Sequence, residues 1–391
     1  MPFAVFRKYL ISWIGKFNVR NVIKFSGYSV FCLCVVTLIS GCSIFAEKPE
    51  TNIFYPSQPS PPRIQFLTTY SGPNDLITEG SSLSQFILGD KDTEGAIDKP
   101  YGVAIHDGVI YLMDIRGPGY AKFDLKNKKF DFIYGAFGGK MKKPINISID
   151  KEGNKYIADI SREQILVFDA KDEYVRSYID EHEFKPSDAV IADNKLFAAC
   201  MKHHQIHVFD KDSGKILYSI GSAGSKEGEL FYPSNIALGP DNHLYISEAG
   251  NFRVQKFSQS GEFISGFGKV GTGFGQFARP KGIAVDRDGR IYVVDAAFEN
   301  VQILDKDGKV LLFFGEPGSE RGNINLPAAI VIDYDNVAYF QKFADPKFTV
   351  EYIILIASQF GVNKVNVYGF GKMQGETYST VTEIEKLIIM F

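Results

Sequence analysis

The sequence predicts an all-β protein: a six-bladed propeller of four-stranded antiparallel blades, its ring closed by an N-terminal strand. Three observations predict it. A proline recurs at Pro100, Pro144, Pro186, Pro233, Pro280 and Pro327, at intervals of 44, 42, 47, 47 and 47 residues. Each interval holds four short apolar runs, and the turns before the last run carry Asp, Gly, Lys and Ser, as in DKDSGK, SQSGE and DKDGK; these are hairpin residues. The first run also alternates. The third and fifth residues after each proline are apolar, from Val103 and Ile105 to Ile330 and Ile332, while the second and fourth are small or short-polar apart from Val190 and Val331. Side chains alternate sides along a strand, and blades converge on an axis, so the innermost strand needs one narrow side.

Composition agrees with many short strands joined by tight turns. Of 391 residues, 37 are Gly and 14% are aromatic. The formal charge of −3 hides an asymmetry: residues 1–41 carry Arg7, Lys8, Lys16, Arg20 and Lys24 and no acid. Without them the charge is −8, and there is no long basic run to bind nucleic acid.

Taken in order, the chain begins with an address. Tyr28 to Ser40 is uncharged and mostly apolar, short for a membrane span and suited to a signal-peptide core. It ends in Leu38-Ile39-Ser40-Gly41-Cys42, which resembles the bacterial lipobox. That resemblance implies cleavage before Cys42, diacylglycerol on its sulfur, and export to a membrane surface, the outer membrane in a Gram-negative cell because Ser43 follows. Residues 1–41 are then a signal peptide. Residues 42–63, rich in Pro and polar residues, form a semi-extended tether.

The propeller is expected over 64–371. Its sixth repeat lacks a fourth run after Gly371, and Ile64 to Tyr70 has the pattern of the missing outer strand, so it is expected to clasp the ring. Ser82 to Leu88 reads as a short helix before the first blade. Residues 372–391 form a tail in which Thr380 and Glu383 make a capping box before a helical stripe. Within the repeats, GSAGSKEGELFYPSNIALGPDNHLYISEAGNFRVQKF and GKVGTGFGQFARPKGIAVDRDGRIYVVD resemble NHL repeats. The resemblance spans Pro100 to Gly371 and is sharpest from Gly221 to Gly315.

Three groups of residues are candidate sites. Asn146, Asp188 and Asn235 stand two residues after their prolines and form a candidate ligand mouth at one end of the channel; the alternative is that they satisfy local backbone groups. Most second runs end in an acid, namely Asp114, Asp159, Glu248 and Asp295, which in NHL repeats anchors the following loop. The third repeat instead has Cys200, followed by Lys202, His203, His204 and His207. Cys200, His203 and His204 are the metal candidates, for Zn²⁺ or Cu, against a plain polar loop. Finally, the sixth repeat carries an aromatic excursion about 16 residues longer than its counterpart. Its Tyr339, Phe340, Phe343 and Phe348 either fold back onto the blade or contact a partner.

His106 and His243 fall in turns on the face opposite His182, so no set of bases and metal ligands repeats across blades. No cofactor is expected. The residues point to a membrane-tethered binding scaffold of the cell envelope whose loops recognise a protein or polymer partner. The alternative is a metal-dependent hydrolase or lyase acting at the channel mouth.

Overall fold

A computed structural model describes residues 52–57, 59–76 and 97–378. Cys42, the Ser82–Leu88 segment and the tail from Thr380 lie outside the described residues. Two strands precede the ring, β1 (Phe54–Tyr55) and β2 (Ile64–Tyr70). Blade one is β3 (Pro100–His106), β4 (Val109–Asp114), β5 (Gly119–Asp124) and β6 (Lys129–Ile133). Blade two is β7 (Pro144–Ile149), β8 (Lys155–Asp159), β9 (Gln164–Phe168) and β10 (Tyr174–Ile179). Blade three is β11 (Pro186–Ala192), β12 (Lys195–Cys200), β13 (Gln205–Asp210) and β14 (Ile216–Ile220). Blade four is β15 (Pro233–Leu238), β16 (Leu244–Glu248), β17 (Arg253–Phe257) and β18 (Phe263–Phe267). Blade five is β19 (Pro280–Val285), β20 (Ile291–Asp295), β21 (Asn300–Leu304) and β22 (Val310–Phe314). Blade six begins with β23 (Pro327–Asp333), β24 (Phe348–Ser358) and β25 (Val365–Met373).

The expected clasp is present. β2 pairs antiparallel with β25, Ile64 opposite Phe370 and Tyr70 opposite Val365, and supplies the fourth strand of blade six. A fifth strand then covers it. β1 pairs with β2 inside the stretch expected to be tether, so the ordered domain starts earlier than residue 64. Ile53 and Tyr55 pack on the apolar layer between blades five and six, and Phe54 on that between blades six and one. The boundary at 371 also moves outward, because β25 runs to Met373 and the Tyr378 hydroxyl donates to the Pro62 carbonyl at 2.9 Å.

The core is a set of seams. Each buried apolar cluster joins neighbouring blades, from the blade one–two layer of Met113, Tyr120, Ile147 and Phe168 to the blade six–one layer of Leu67, Tyr70, Phe123 and Val367. Closing β25 with a strand from the other end of the chain removes the sheet edge an open ring would expose. Near the axis the inner strands almost touch. A Cβ on Gly282 would sit 2.8 Å from the Ala329 Cα, and one on Gly102 would collide with Asn146, so a side chain fits at neither position.

The blade-six excursion folds back. Val337–Phe340 forms a short helix and Gln341–Phe343 one 3-10 turn, after which β24 continues for 11 residues. Phe340 is 0% exposed and Phe348 is buried; Tyr70 meets the first edge-on at 6.5 Å and Phe54 the second at 5.8 Å.

Candidate functional site

In every blade the pairing of the first two strands shifts register just after the opening proline, as between Pro186 and Asp188 and between Pro233 and Asn235. Proline has no N–H to give the ladder, so a strand tends to open or bulge there. The bulge re-aims the second residue after the proline. Asn146, Asp188 and Asn235 consequently meet as one buried polar row on neighbouring inner strands. Asp188 Oδ1 accepts the Ala189 N–H at 2.9 Å, and Oδ2 accepts the Ile236 N–H at 3.0 Å. Asn235 lies 3.4 Å from Oδ2. With its amide turned to donate to the Lys281 and Ser234 carbonyls, each at 3.2 Å, Asn235 accepts from Asn146 Nδ2 at 3.0 Å. In that orientation the Asn235 oxygen faces the Asp188 carboxyl, a pairing that a protonated carboxyl satisfies. Burial pushes the Asp188 pKa up to about 7, against the opposing pull of these hydrogen bonds. The row borders a channel cavity of about 280 Å³, walled by aliphatic side chains such as Val103, Ile147, Ile236 and Ile330.

One residue earlier on two other inner strands lies a pair that the repeat pattern did not single out. Lys281 Nζ hydrogen-bonds the Tyr101 hydroxyl and sits 4.2 Å from the ring centroid. Burial pushes Lys281 down to about 7, aided by the charges of Arg279 and Lys99, and pushes Tyr101 up to about 12. The signal was a composition outlier: the residue after each proline is Ile145, Ser187, Ser234 or Ala328 elsewhere.

The acids that end the second strands anchor loops. Asp159 accepts the backbone N–H groups of Lys142, Lys143, Ser161 and Arg162 at 2.6–3.1 Å. Asp114 and Asp295 do the same in blades one and five. Glu248 accepts from Phe231 N and pairs with Arg253 Nε at 2.6 Å. In blade three Cys200 and His203 come together, Sγ to Nδ1 at 3.5 Å, but His204 leaves the group. Its backbone turns into the left-handed region, with φ 54°, and its Nδ1 accepts the Tyr232 N–H at 3.0 Å. His207 takes its place, its Nε2 3.2 Å from His203 Nδ1.

Of the excursion residues, Phe340 and Phe348 are core and Tyr339 and Phe343 are partly buried against the same seam. Of the two alternatives left open for these rings, the structure shows the fold back onto the blade, since ring burial is better than hydration for chain free to fold back. Exposed rings occur instead on the loops between blades: Phe137 at 99%, Phe274 at 77%, and Phe231 and Tyr232. Phe360, in the turn between β24 and β25, joins them. In an up-and-down blade all these segments emerge on one face, the one where the polar row opens. Phe137 and Tyr232 also hold left-handed backbones, with φ 48° and 49°, an expensive conformation for bulky residues.

An NHL repeat family model matches residues 277–304, which are blade five from the buried Phe277 through β21. Comparison with curated proteins gives no match. Among solved structures, a Bacteroides thetaiotaomicron protein of unknown function superposes with TM-score 0.56 at 18% identity, covering 78% of this chain and 75% of that one. An auxiliary nutrient-binding protein from the same organism gives 0.53 at 14% identity over 71% and 70%. A gluconolactonase from Xanthomonas campestris gives 0.51 at 15% identity over 70% and 86%. At these identities the likeness is one of fold. The chain is a six-bladed β-propeller that carries an NHL repeat.

Proposed function

We propose that this propeller is an exported scaffold, lipid-anchored at Cys42 in the cell envelope, that recognises a protein or polymer partner through its inter-blade loops. The observation that carries the reading is the set of solvent-facing rings Phe137, Phe231, Tyr232, Phe274 and Phe360 on one face. Aromatic anchors dominate interface energetics, and Phe137 sits on a left-handed backbone whose cost its ring, almost fully exposed, does not recover by packing.

Similar folds serve both a nutrient-binding protein and a gluconolactonase, so the fold itself admits binding and catalysis. The mouth favours binding: one carboxylate and two amides satisfy each other and nearby backbone groups, leaving few free polar atoms to activate a substrate. The hydrolase or lyase alternative draws support from Asp188 and Lys281, both drawn close to neutrality.

The test is affinity capture from envelope fractions with Phe137→Ser and Phe274→Ser combined. Both rings are exposed, so the fold is expected to survive. Truncating two anchors at about 2 kcal/mol each should lower recovery of the partner at least tenfold. Unchanged capture by the double variant, together with loss of capture by Asp188→Ala, moves the site to the channel mouth.

A further inference from the structure

The strongest feature outside the mouth and the aromatic face is the group of Cys200, His203 and His207 in blade three. Its setting is unusual within the ring. In blades one, two, four and five this strand end carries an acid that ties down the preceding inter-blade loop. Cys200 cannot accept that many N–H groups. The loop before blade three instead brings in Asp180, whose Oδ2 lies 3.1 Å from His207 Nδ1, off the ideal line of a hydrogen bond, and 3.9 Å from His203 Nδ1.

We propose that Cys200 Sγ, His203 Nδ1 and His207 Nε2 form a Zn²⁺ site that locks the blade two–three loop to blade three. The three ligand atoms lie within 4.8 Å of one another. Two of the separations are 3.5 Å for S to N and 3.2 Å for N to N. A tetrahedral zinc with Zn–S of about 2.3 Å and Zn–N of about 2.05 Å requires edges of roughly 3.6 and 3.3 Å. The two edges that meet at His203 Nδ1 therefore match a coordination shell, and the third, Cys200 Sγ to His207 Nε2, is held within 4.8 Å, against the roughly 3.6 Å that a bound ion would set. Two facing imidazole nitrogens also share one proton at most when the ion is absent, whereas both lone pairs serve a metal.

The surroundings supply the outer support such a site uses. The Asp180 carboxylate stands 3.1 Å from His207 Nδ1, and a small turn of the ring would bring a proton on that nitrogen into line with it and leave Nε2 to ligate. Asp180 is itself fixed by the His182 N–H on Oδ1 at 2.9 Å. Cys200 and His207 are buried, while the His203 side chain is 27% exposed, so solvent reaches the cluster from the His203 side and can fill a fourth position. A thiolate with two imidazoles suits a borderline-soft ion such as Zn²⁺ rather than Mg²⁺ or Ca²⁺. The site departs from the expectation that no cofactor is bound, and it is independent of the partner proposed above.

Cobalt provides the spectroscopic probe. Full-length protein with a histidine-free tag, kept reduced in detergent and stripped with chelator, is titrated with Co²⁺. The expected result is tetrahedral d–d bands and a thiolate-to-cobalt charge-transfer band, saturating at one equivalent and displaced by Zn²⁺. Cys200→Ser should lose the charge-transfer band. His203→Gln, at a partly exposed position that tolerates change, should weaken binding more than tenfold while keeping the far-ultraviolet spectrum. His204→Ala should bind as the parent does. Zinc should also raise the melting temperature of the parent and not of His203→Gln. Octahedral bands only, a charge-transfer band that survives Cys200→Ser, or preference for Cu²⁺ with no uptake of Zn²⁺ would each overturn the assignment.

Discussion

Replacing Asp188 by Asn removes the titration from the polar row and keeps the side-chain size, at the loss of one of the two acceptors for the Ala189 and Ile236 N–H groups. The carboxyl is buried, its folded pKa is about 7, and the ordinary value is 3.8. Between those values the folded protein keeps a proton that the unfolded chain releases. Unfolding then loses a proton, so stability falls as pH rises through this window. Below about pH 4 both states are protonated and no penalty exists; above about pH 7 both are ionised and the penalty is complete. At 1.36 kcal/mol per pKa unit the interval amounts to roughly 4 kcal/mol as a ceiling. Asn is uncharged and titrates nowhere, so any constant cost of its lost acceptor drops out of the pH dependence. Urea unfolding of the parent and Asp188→Asn at pH 4.5, 5.5, 6.5 and 7.5 should give a stability difference that moves steadily in the variant's favour. Between pH 4.5 and 7.5 that difference should change by about 3 kcal/mol. Lys281 has the opposite dependence, because a lysine lowered to about 7 adds stability as pH rises from there toward 10.5. It is common to both proteins and cancels. Parallel stability curves would refute the claim that burial governs this carboxyl.

The remaining expectations concern the seams and the anchor. Phe340→Ala removes a fully buried ring from the blade six–one layer and should cost about 3–5 kcal/mol, read as an early thermal melt; an unchanged melt would return that ring to the surface. Removing residues up to Tyr70 strips β25 of its partner and should yield aggregating or early-melting protein by light scattering; a monomer of parental stability would contradict ring closure by β2. Cys42→Ser should release the protein from membrane pellets, and continued acylated attachment would contradict the anchor.

Much of the architecture was legible because each blade repeats the same local instructions. The prolines, the alternation after them and the hairpin residues fixed strand order, and the shortage of one strand in the sixth repeat identified β2. The two-residue β1 was not legible: Phe54 and Tyr55 lie in a Pro-rich stretch with no periodicity, and their partner strand is already amphipathic. The fate of Phe340 and Phe348 was open because their burial depends on Tyr70 and Phe54, almost three hundred residues away. His207 could have been found from strand parity. It shares a face of β13 with Gln205, the residue opposite Cys200, whereas His204 sits in the turn, where no periodicity says which way a ring points. Phe137 and Phe274 were hidden inside loop sequence shared by neighbouring repeats, and only their exposure distinguishes them from the buried Phe277.

The binding face is tested most directly by site-specific photocrosslinking in intact cells. A photoreactive phenylalanine analogue at position 274 reports on the inter-blade-loop face, and the same analogue at position 193, in the β11–β12 turn, reports on the opposite one. The proposal expects a discrete adduct from position 274, absent without irradiation, and none from position 193. Adducts from position 193 alone would contradict it.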